Sequence, residues 1–445
     1  MAEKTWQDYA KNKKSKPLPL KDIKVLEVCT QLLGPIGPAL LAQLGAQVIR
    51  CEFPPLGDST RSLNPFGWFY KDQSPLLFHI NQNKYWVGLD LHKPEAQKIF
   101  CELAAQCDIV ENNFRPGVME EWNIGYKQIR EINPRVIFLS KNGYGQWGQY
   151  ARENRPSNDG ASQALSGYSW ISRWPGQTPL KMRAYVGDNY GGLCAELAVL
   201  SALHYRDRTG QGQFIEMSQT ENVLRTMSWI WPYQQLAGKP AQPTGNRDAS
   251  ICPADTFLCA DGVFVALAAP APEEFAGLCV AMGMPALSQD ERFRDHLTRL
   301  KDENAVAILK IIADWARMRT SREIEALAEK HGFAASHLYT AKDLVENEHF
   351  RTRDFWTEID DPLYGKYHNF DFPVKMSATP PQTTRSVRPV GFDNEYVMKA
   401  VLGKSDAEIQ KLYDCGALGK WKDVQGRRPP PDWDGKAGLL LKNDK

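Results

Sequence analysis

Two domains are what this sequence predicts: a Rossmann-like α/β domain built on a parallel sheet, and a smaller α+β domain. Three observations predict them. The chain has 445 residues, beyond the roughly 250–300 at which a single core stops growing. Over its first third, short apolar runs alternate with helix-period segments, the pattern of βαβ crossovers. After about residue 235 that alternation gives way to a hairpin signal followed by helices.

Each element has its own signal. Lys24–Val28 (KVLEV) and Gln47–Glu52 (QVIRCE) read as strands. Between them Leu40, Leu41 and Leu44 fall at helical spacing from Gly34 on, and Gly45 stops the helix. Pro94–Ala105 is amphipathic, with Ile99, Phe100 and Leu103 on one side, and DIVE (108–111) and RVIFLS (135–140) read as two more strands. A long helix is expected over about Tyr190–Arg206, packing through Ala195, Ala198, Val199 and Ala202, and a strand at Gln213–Met217. The runs flanking Ala260-Asp261-Gly262 predict a hairpin. Helices follow near 273–283, 303–318 and 322–331. Strand-like pieces lie beyond 350, with short helices near 393–402 and 406–413. Pro429-Pro430-Pro431 marks an extended tail. The expected division is 1–229 for the large domain, 230–340 for the small one and 341–445 for a C-terminal segment.

Composition narrows the function. Lys and Arg total 54 against 53 Asp and Glu, a formal charge of +1. That balance gives no bulk attraction to nucleic acid or to an anionic membrane. No apolar run reaches the ~18 residues of a spanning helix, and Met1–Lys16 is polar and lysine-rich, unlike a secretory signal. Nine scattered cysteines without a CxxC predict reduced thiols in a cytoplasmic protein. No HxxxH or HExxH occurs, so no metal site is expected.

Three places carry chemistry. Gly34-Pro35-Ile36-Gly37 follows a strand and precedes a helix, the layout of a dinucleotide fold without its GxGxxG spacing; a tight turn with close helix–strand packing is the favoured reading. Asp188 follows Gly187 and precedes Gly191 and Gly192 where a helix starts. An N-cap explains it, and so does a covalent nucleophile. A carboxylate at a helix N-terminus stays ionised, and bare glycines let a bulky ligand approach the backbone. Arg115, in NNFRPG after DIVE, lies where open α/β sheets bind ligands and can hold a phosphate; a solvated loop arginine is the other reading.

Nine motifs stand in one order: LLGP(x)4LLAQLGAQVIRCE, PPLGDSTR, NQNKYWVGLDL, NFRPGVME, NPRVIFLSKNGYGQWG, SQALSGY, GDNYGG, ALHYRDRTGQGQ and IEMSQTE. In this order the sequence resembles the class III CoA-transferases, closely over about 20–225 and more loosely to 400. The resemblance implies that Asp188 attacks an acyl-CoA thioester, giving an aspartyl–acyl anhydride and then an aspartyl-CoA thioester that the acceptor acid attacks. It implies CoA esters as substrates and no permanently bound cofactor. It places Asp159 near the active site and Arg115 on a CoA phosphate, and Gly191 and Gly192 remain ligand-side candidates from their place beside Asp188. It also implies an interlocked dimer, the C-terminal segment rejoining the large domain.

Departures from the family pattern bear on the ligand and the partner. Leu32 replaces a glutamine, Phe53 a basic residue, and Glu121 an arginine that binds CoA, and a carboxylate repels pyrophosphate. Either Arg115 and small-domain residues such as Arg247 supply the missing charge in a homodimer, or a homologous subunit in a heteromer carries the complete site. A non-CoA-binding subunit is therefore one alternative. The other is a 2-methylacyl-CoA racemase, which resemblance would equip with a histidine at Asn158; asparagine is no base at neutral pH. The acceptor is expected to be an aromatic acid of the benzylsuccinate kind or a carnitine-like acid, and an aromatic count of 11% is compatible with the former.

Overall fold

A computed structural model describes residues 13–71 and 73–421. The proline-rich tail lies outside the described residues, as does most of the polar N-terminus. The chain divides into two compact units. One comprises the chain up to Tyr168, Met182–Ser228 and the chain from Arg351 onward; the other comprises Trp229–Phe350. Ser169–Lys181, read above as part of the large domain, is counted with the second unit.

The large unit is an α/β fold. Its strands are β1 (Lys24–Val28), β2 (Gln47–Glu52), β3 (Tyr85–Gly88), β4 (Ile109–Asn112), β5 (Ile137–Asn142) and β6 (Gln213–Ser218). All neighbours pair in parallel in the order β3-β2-β1-β4-β5-β6. The chain builds outward from β1 to β3, then returns to add β4 beside β1. That reversal opens a crevice at the carboxyl ends of β1 and β4, where such sheets receive ligands.

Strand alternation sorts the core into two faces. Leu26, Ile49, Val110 and Phe138 join Ile99, Phe100 and Leu103 on one side. Val25, Val48, Ile109 and Ile137 join Ala195, Val199 and Ala202 on the other. The residues of the first group that are not on strands belong to α2 (Pro94–Ala104); those of the second belong to a long helix described below. Ahead of α2 in the chain, α1 (Leu33–Gln43) already contains Gly34-Pro35-Ile36-Gly37 as helix. Those glycines serve close packing. A Cβ at Gly34 would lie 2.5 Å from Cys29 Cβ and 2.8 Å from Asn113 Cγ.

β3 had no counterpart in the reading of the sequence. Its outer edge is closed by the far end of the chain. Trp86 N–H donates to Asp393 at 2.8 Å, Gly88 N–H to Asn394 at 3.0 Å, and Gly419 N–H to Gly88 O at 2.9 Å.

The second unit is α+β. Its antiparallel sheet comprises Ala254–Leu258, Phe264–Ala268 and Ala334–His337, the middle strand pairing with both others. Helices Pro272–Ala281, Asp302–Ala316 and Ser321–His331 cover it, and Phe275, Leu278, Ile308, Ile312 and Trp315 form its core. Among the described residues no helix is long and apolar enough to cross a membrane.

Candidate active site

Asp188 is the third residue of the 24-residue helix Val186–Thr209, so the helix starts four residues earlier than the sequence suggested and Asp188 does not cap it. The N-cap position is Tyr185, which has left-handed dihedrals (φ 49°, ψ 55°) and no capping side-chain bond. The cap comes through space instead. Asp159 opens the helix α3 (Asp159–Leu165), and its Oδ1 accepts the Gly187 N–H at 2.8 Å. This satisfies one of the first-turn amides that a helix leaves unpaired. Gly187 permits that approach: a Cβ there would lie 2.9 Å from Asp159 Oδ1 and 3.0 Å from Val223 Cγ2.

With the long helix as α4 (Val186–Thr209), the site assembles from three helix starts. Asp159 is held by Gln163, whose Nε2 donates to Oδ2 at 2.6 Å. Asn158 caps α3 by accepting the Ala161 N–H at 2.9 Å. The third start is α5 (Gln219–Arg225), which follows β6 directly. Gln219 Nε2 donates to Asp188 Oδ1 at 2.5 Å, while Ser162 Oγ donates to Gln219 Oε1 at 2.8 Å. Thr220 ties this group to the end of β5, its hydroxyl donating to Gly143 O at 2.8 Å. Asp159, Ser162, Asp188 and Gln219 are all buried. A carboxylate in a helix's first turn is favoured by the dipole, and an amide donor favours its charged form further.

Gly191 and Gly192 face protein. A Cβ at Gly191 would lie 2.8 Å from Leu33 Cδ1, and one at Gly192 would lie 2.9 Å from Ile36 Cγ2. What the structure shows for both is the close approach of α4 to α1.

Arg115 stands elsewhere on the same sheet edge, exposed after β4, and its side chain has no hydrogen bond or ion pair among the described residues. Its neighbour Phe114 lines a cavity of about 170 Å³ at the carboxyl ends of the strands. Cys29, Phe53, His92 and Trp122 line it too. The rings meet edge to face, Phe53–His92 at 5.5 Å, His92–Trp122 at 5.2 Å and Phe114–Trp122 at 5.3 Å. Asn113 holds the crevice, its side chain exchanging two 2.7 Å bonds with the Thr30 backbone. Glu121 is exposed and Leu32 is buried against Ile36 and Ile80. Arg247 belongs to the second unit, where its Nη2 pairs with Asp302 at 3.0 Å.

Gln219 escaped the sequence reading, although it lies in the quoted IEMSQTE. The available signal was its place just beyond a strand's carboxyl end.

Comparison with known proteins agrees with this architecture. The succinyl-CoA–D-citramalate CoA-transferase of Chloroflexus aurantiacus is 32% identical over 396 residues, covering 89% of this chain and 97% of that protein. The succinyl-CoA–L-malate CoA-transferase alpha subunit of the same species is 31% identical over 398 residues, covering 89% and 91%. Human succinyl-CoA:glutarate CoA-transferase is 27% identical over 400 residues, covering 90% of each chain. The crystal structure of a CAIB/BAIF family protein from Brucella suis superposes with a TM-score of 0.76 at 26% identity, covering 87% of this chain and all of that one. The profile of CoA-transferase family III matches residues 20–394, and with it the chain belongs to the class III CoA-transferases.

Proposed function

We propose that this enzyme moves CoA from succinyl-CoA to a short dicarboxylic acid, with Asp188 as the covalent nucleophile. The observation that carries the reading is the buried Asp188 carboxylate in the first turn of α4, with Gln219 donating to its Oδ1 at 2.5 Å. A carboxylate oxygen attacks the thioester carbonyl, the C–S bond breaks and CoA leaves as thiolate. The thiolate then attacks Asp188 Cγ and expels the acyl group as a free carboxylate. The acceptor carboxylate reverses both steps with its own acyl group.

The relatives named for D-citramalate, L-malate and glutarate favour a short dicarboxylate over the aromatic or carnitine-like acceptor. Arg115 and the aromatic cavity at the carboxyl ends of β1–β4 are the proposed seat of the CoA nucleotide. Asp159 serves through the start of α4 rather than by touching substrate. Asn158, spent as a helix cap, gives no base for a racemase.

Two chains are proposed to pair through α4. Leu193, Leu197 and Leu200 form an apolar stripe on it, 53%, 68% and 37% exposed. Relatives include a CoA-transferase with alpha and beta subunits as well as the D-citramalate enzyme, and the intact Asp188 group favours a chain that works with a second copy of itself.

The test is to incubate the pure chain with succinyl-CoA, trap with hydroxylamine and map the modified peptide. Modification at Asp188, and loss of essentially all transfer in Asp188→Asn, is the expected result. Full transfer by Asp188→Ala would overturn the reading.

A further inference from the structure

We propose that the side-chain amide of Gln219 is the oxyanion donor for the tetrahedral intermediates that form on the enzyme's own carboxyl carbon, Asp188 Cγ. The proposal rests on Asp188 being the nucleophile. Its basis is the fixed orientation of one amide. Ser162 Oγ gives its hydrogen to Gln219 Oε1 at 2.8 Å, and Gln219 Nε2 lies 2.5 Å from Asp188 Oδ1. An ionised carboxylate only accepts, so the nitrogen must be the atom that faces it. Rotating the amide by half a turn would set two acceptors against each other at Asp188. Gln219 and Ser162 are 2% and 0% exposed, so water does not compete for either bond.

The chemistry needs a donor at this atom. When CoA thiolate attacks the anhydride at Cγ, a C–S bond forms and the carbonyl electron pair moves onto the oxygen that is not part of the anhydride bridge. When that pair returns, the C–O bond to the acyl group breaks and the acid leaves as carboxylate. The acceptor acid later attacks the thioester at the same carbon, and the charge again gathers on the same oxygen. That oxygen is neutral carbonyl in the anhydride and the thioester, and carries a full charge in both intermediates. A donor aimed at Oδ1 therefore stabilises the transition states more than the covalent states that precede them. The attack of Asp188 on the donor thioester places its charge on a substrate oxygen instead, beyond the reach of this role.

The experiment separates these steps. Wild type, Gln219→Leu and Ser162→Ala are mixed with succinyl-CoA, quenched over time and followed by intact-protein mass spectrometry. Acyl and CoA adducts are mapped to their residue. Gln219→Leu is expected to lose about 10²–10³-fold in transfer, the cost of an oxyanion donor. Its acyl adduct on Asp188 should persist while the CoA adduct fails to appear. Ser162→Ala leaves the amide in place without its anchor, and a smaller loss with the same shift in adducts is expected; it carries the test should Gln219→Leu fold poorly by circular dichroism. A CoA adduct forming at the wild-type rate in both variants would overturn the proposal. So would equal loss of both adducts in a folded variant, which would make Gln219 a positioning residue. A wild-type enzyme with no adduct at Asp188 would instead overturn the nucleophile reading itself.

Discussion

Asp159 and Glu196 show how single side chains around Asp188 are held, and each makes a measurable prediction. Asp159 accepts from the Gly187 backbone and from Gln163. Asp159→Ala strands the Gly187 N–H and leaves Gln163 Nε2 only the Met182 carbonyl, so a loss of about 1–3 kcal/mol is expected in urea denaturation. Asp159→Asn keeps an acceptor for Gly187 and should lose less. Glu196 lies two turns beyond Asp188 in α4. Lys141 Nζ stands 2.7 Å from Glu111 and 3.7 Å from Glu196, with all three buried. Burial first, and then the Glu111 charge, push the Glu196 carboxyl well above the usual range, against the pull of Lys141. A carboxyl raised in the folded state binds a proton that the unfolded chain has already lost above about pH 4.5. Its contribution is therefore full below that pH and declines as pH rises toward the folded value. Glu196→Gln removes this decline. Its stability relative to wild type should grow as pH rises above about 4.5, by up to about 1.4 kcal/mol per pH unit. A difference independent of pH would refute the protonated carboxyl.

At the scale of elements, the seam between α1 and α4 sets where the helix that carries Asp188 lies. Gly192→Ala would bring a Cβ to 2.9 Å from Ile36 Cγ2, and overpacking of this kind costs about 1–3 kcal/mol. Ile36→Ala removes the obstructing methyl, so the double variant should lose less than the sum of the two single losses in thermal unfolding. The strands and helices that carry the two apolar faces were legible from periodicity alone, Lys24–Val28 and Gln47–Glu52 to the residue. The start of α4 was not, because its cap is Asp159, 28 positions upstream in the chain, and local capping rules see only neighbours. β3 was missed for a related reason. Three of its four residues, Tyr85, Trp86 and Val87, are β-formers, but much of what holds the strand lies some three hundred positions away. The motif GDNYGG located Asp188, the proposed nucleophile. The proposed role of Gln219 was not legible, because it rests on a bond to Asp188 that spans 31 positions.

The exposed leucine stripe of α4 belongs to the molecule as a whole, since it faces away from the sheet that the same helix covers. Charge placed in a self-complementary apolar contact is not tolerated. Leu197→Glu should convert a dimer into monomers in light scattering coupled to gel filtration. A wild-type chain that is already monomeric and active would refute the pairing.

The closure of β3 by Asp393, Asn394 and Gly419 bears on how the chain is made. During synthesis the first five strands leave the ribosome long before the residues that cover the sheet's outer edge. Until then the amides of Trp86 and Gly88 stand at an open margin, the kind of edge that recruits strands from other chains. Nascent chains halted before residue 393 should therefore depend on chaperones and aggregate, whereas chains carried through Gly419 close the sheet on themselves. Residues 393–419 are thus what turns an exposed strand edge into an internal one.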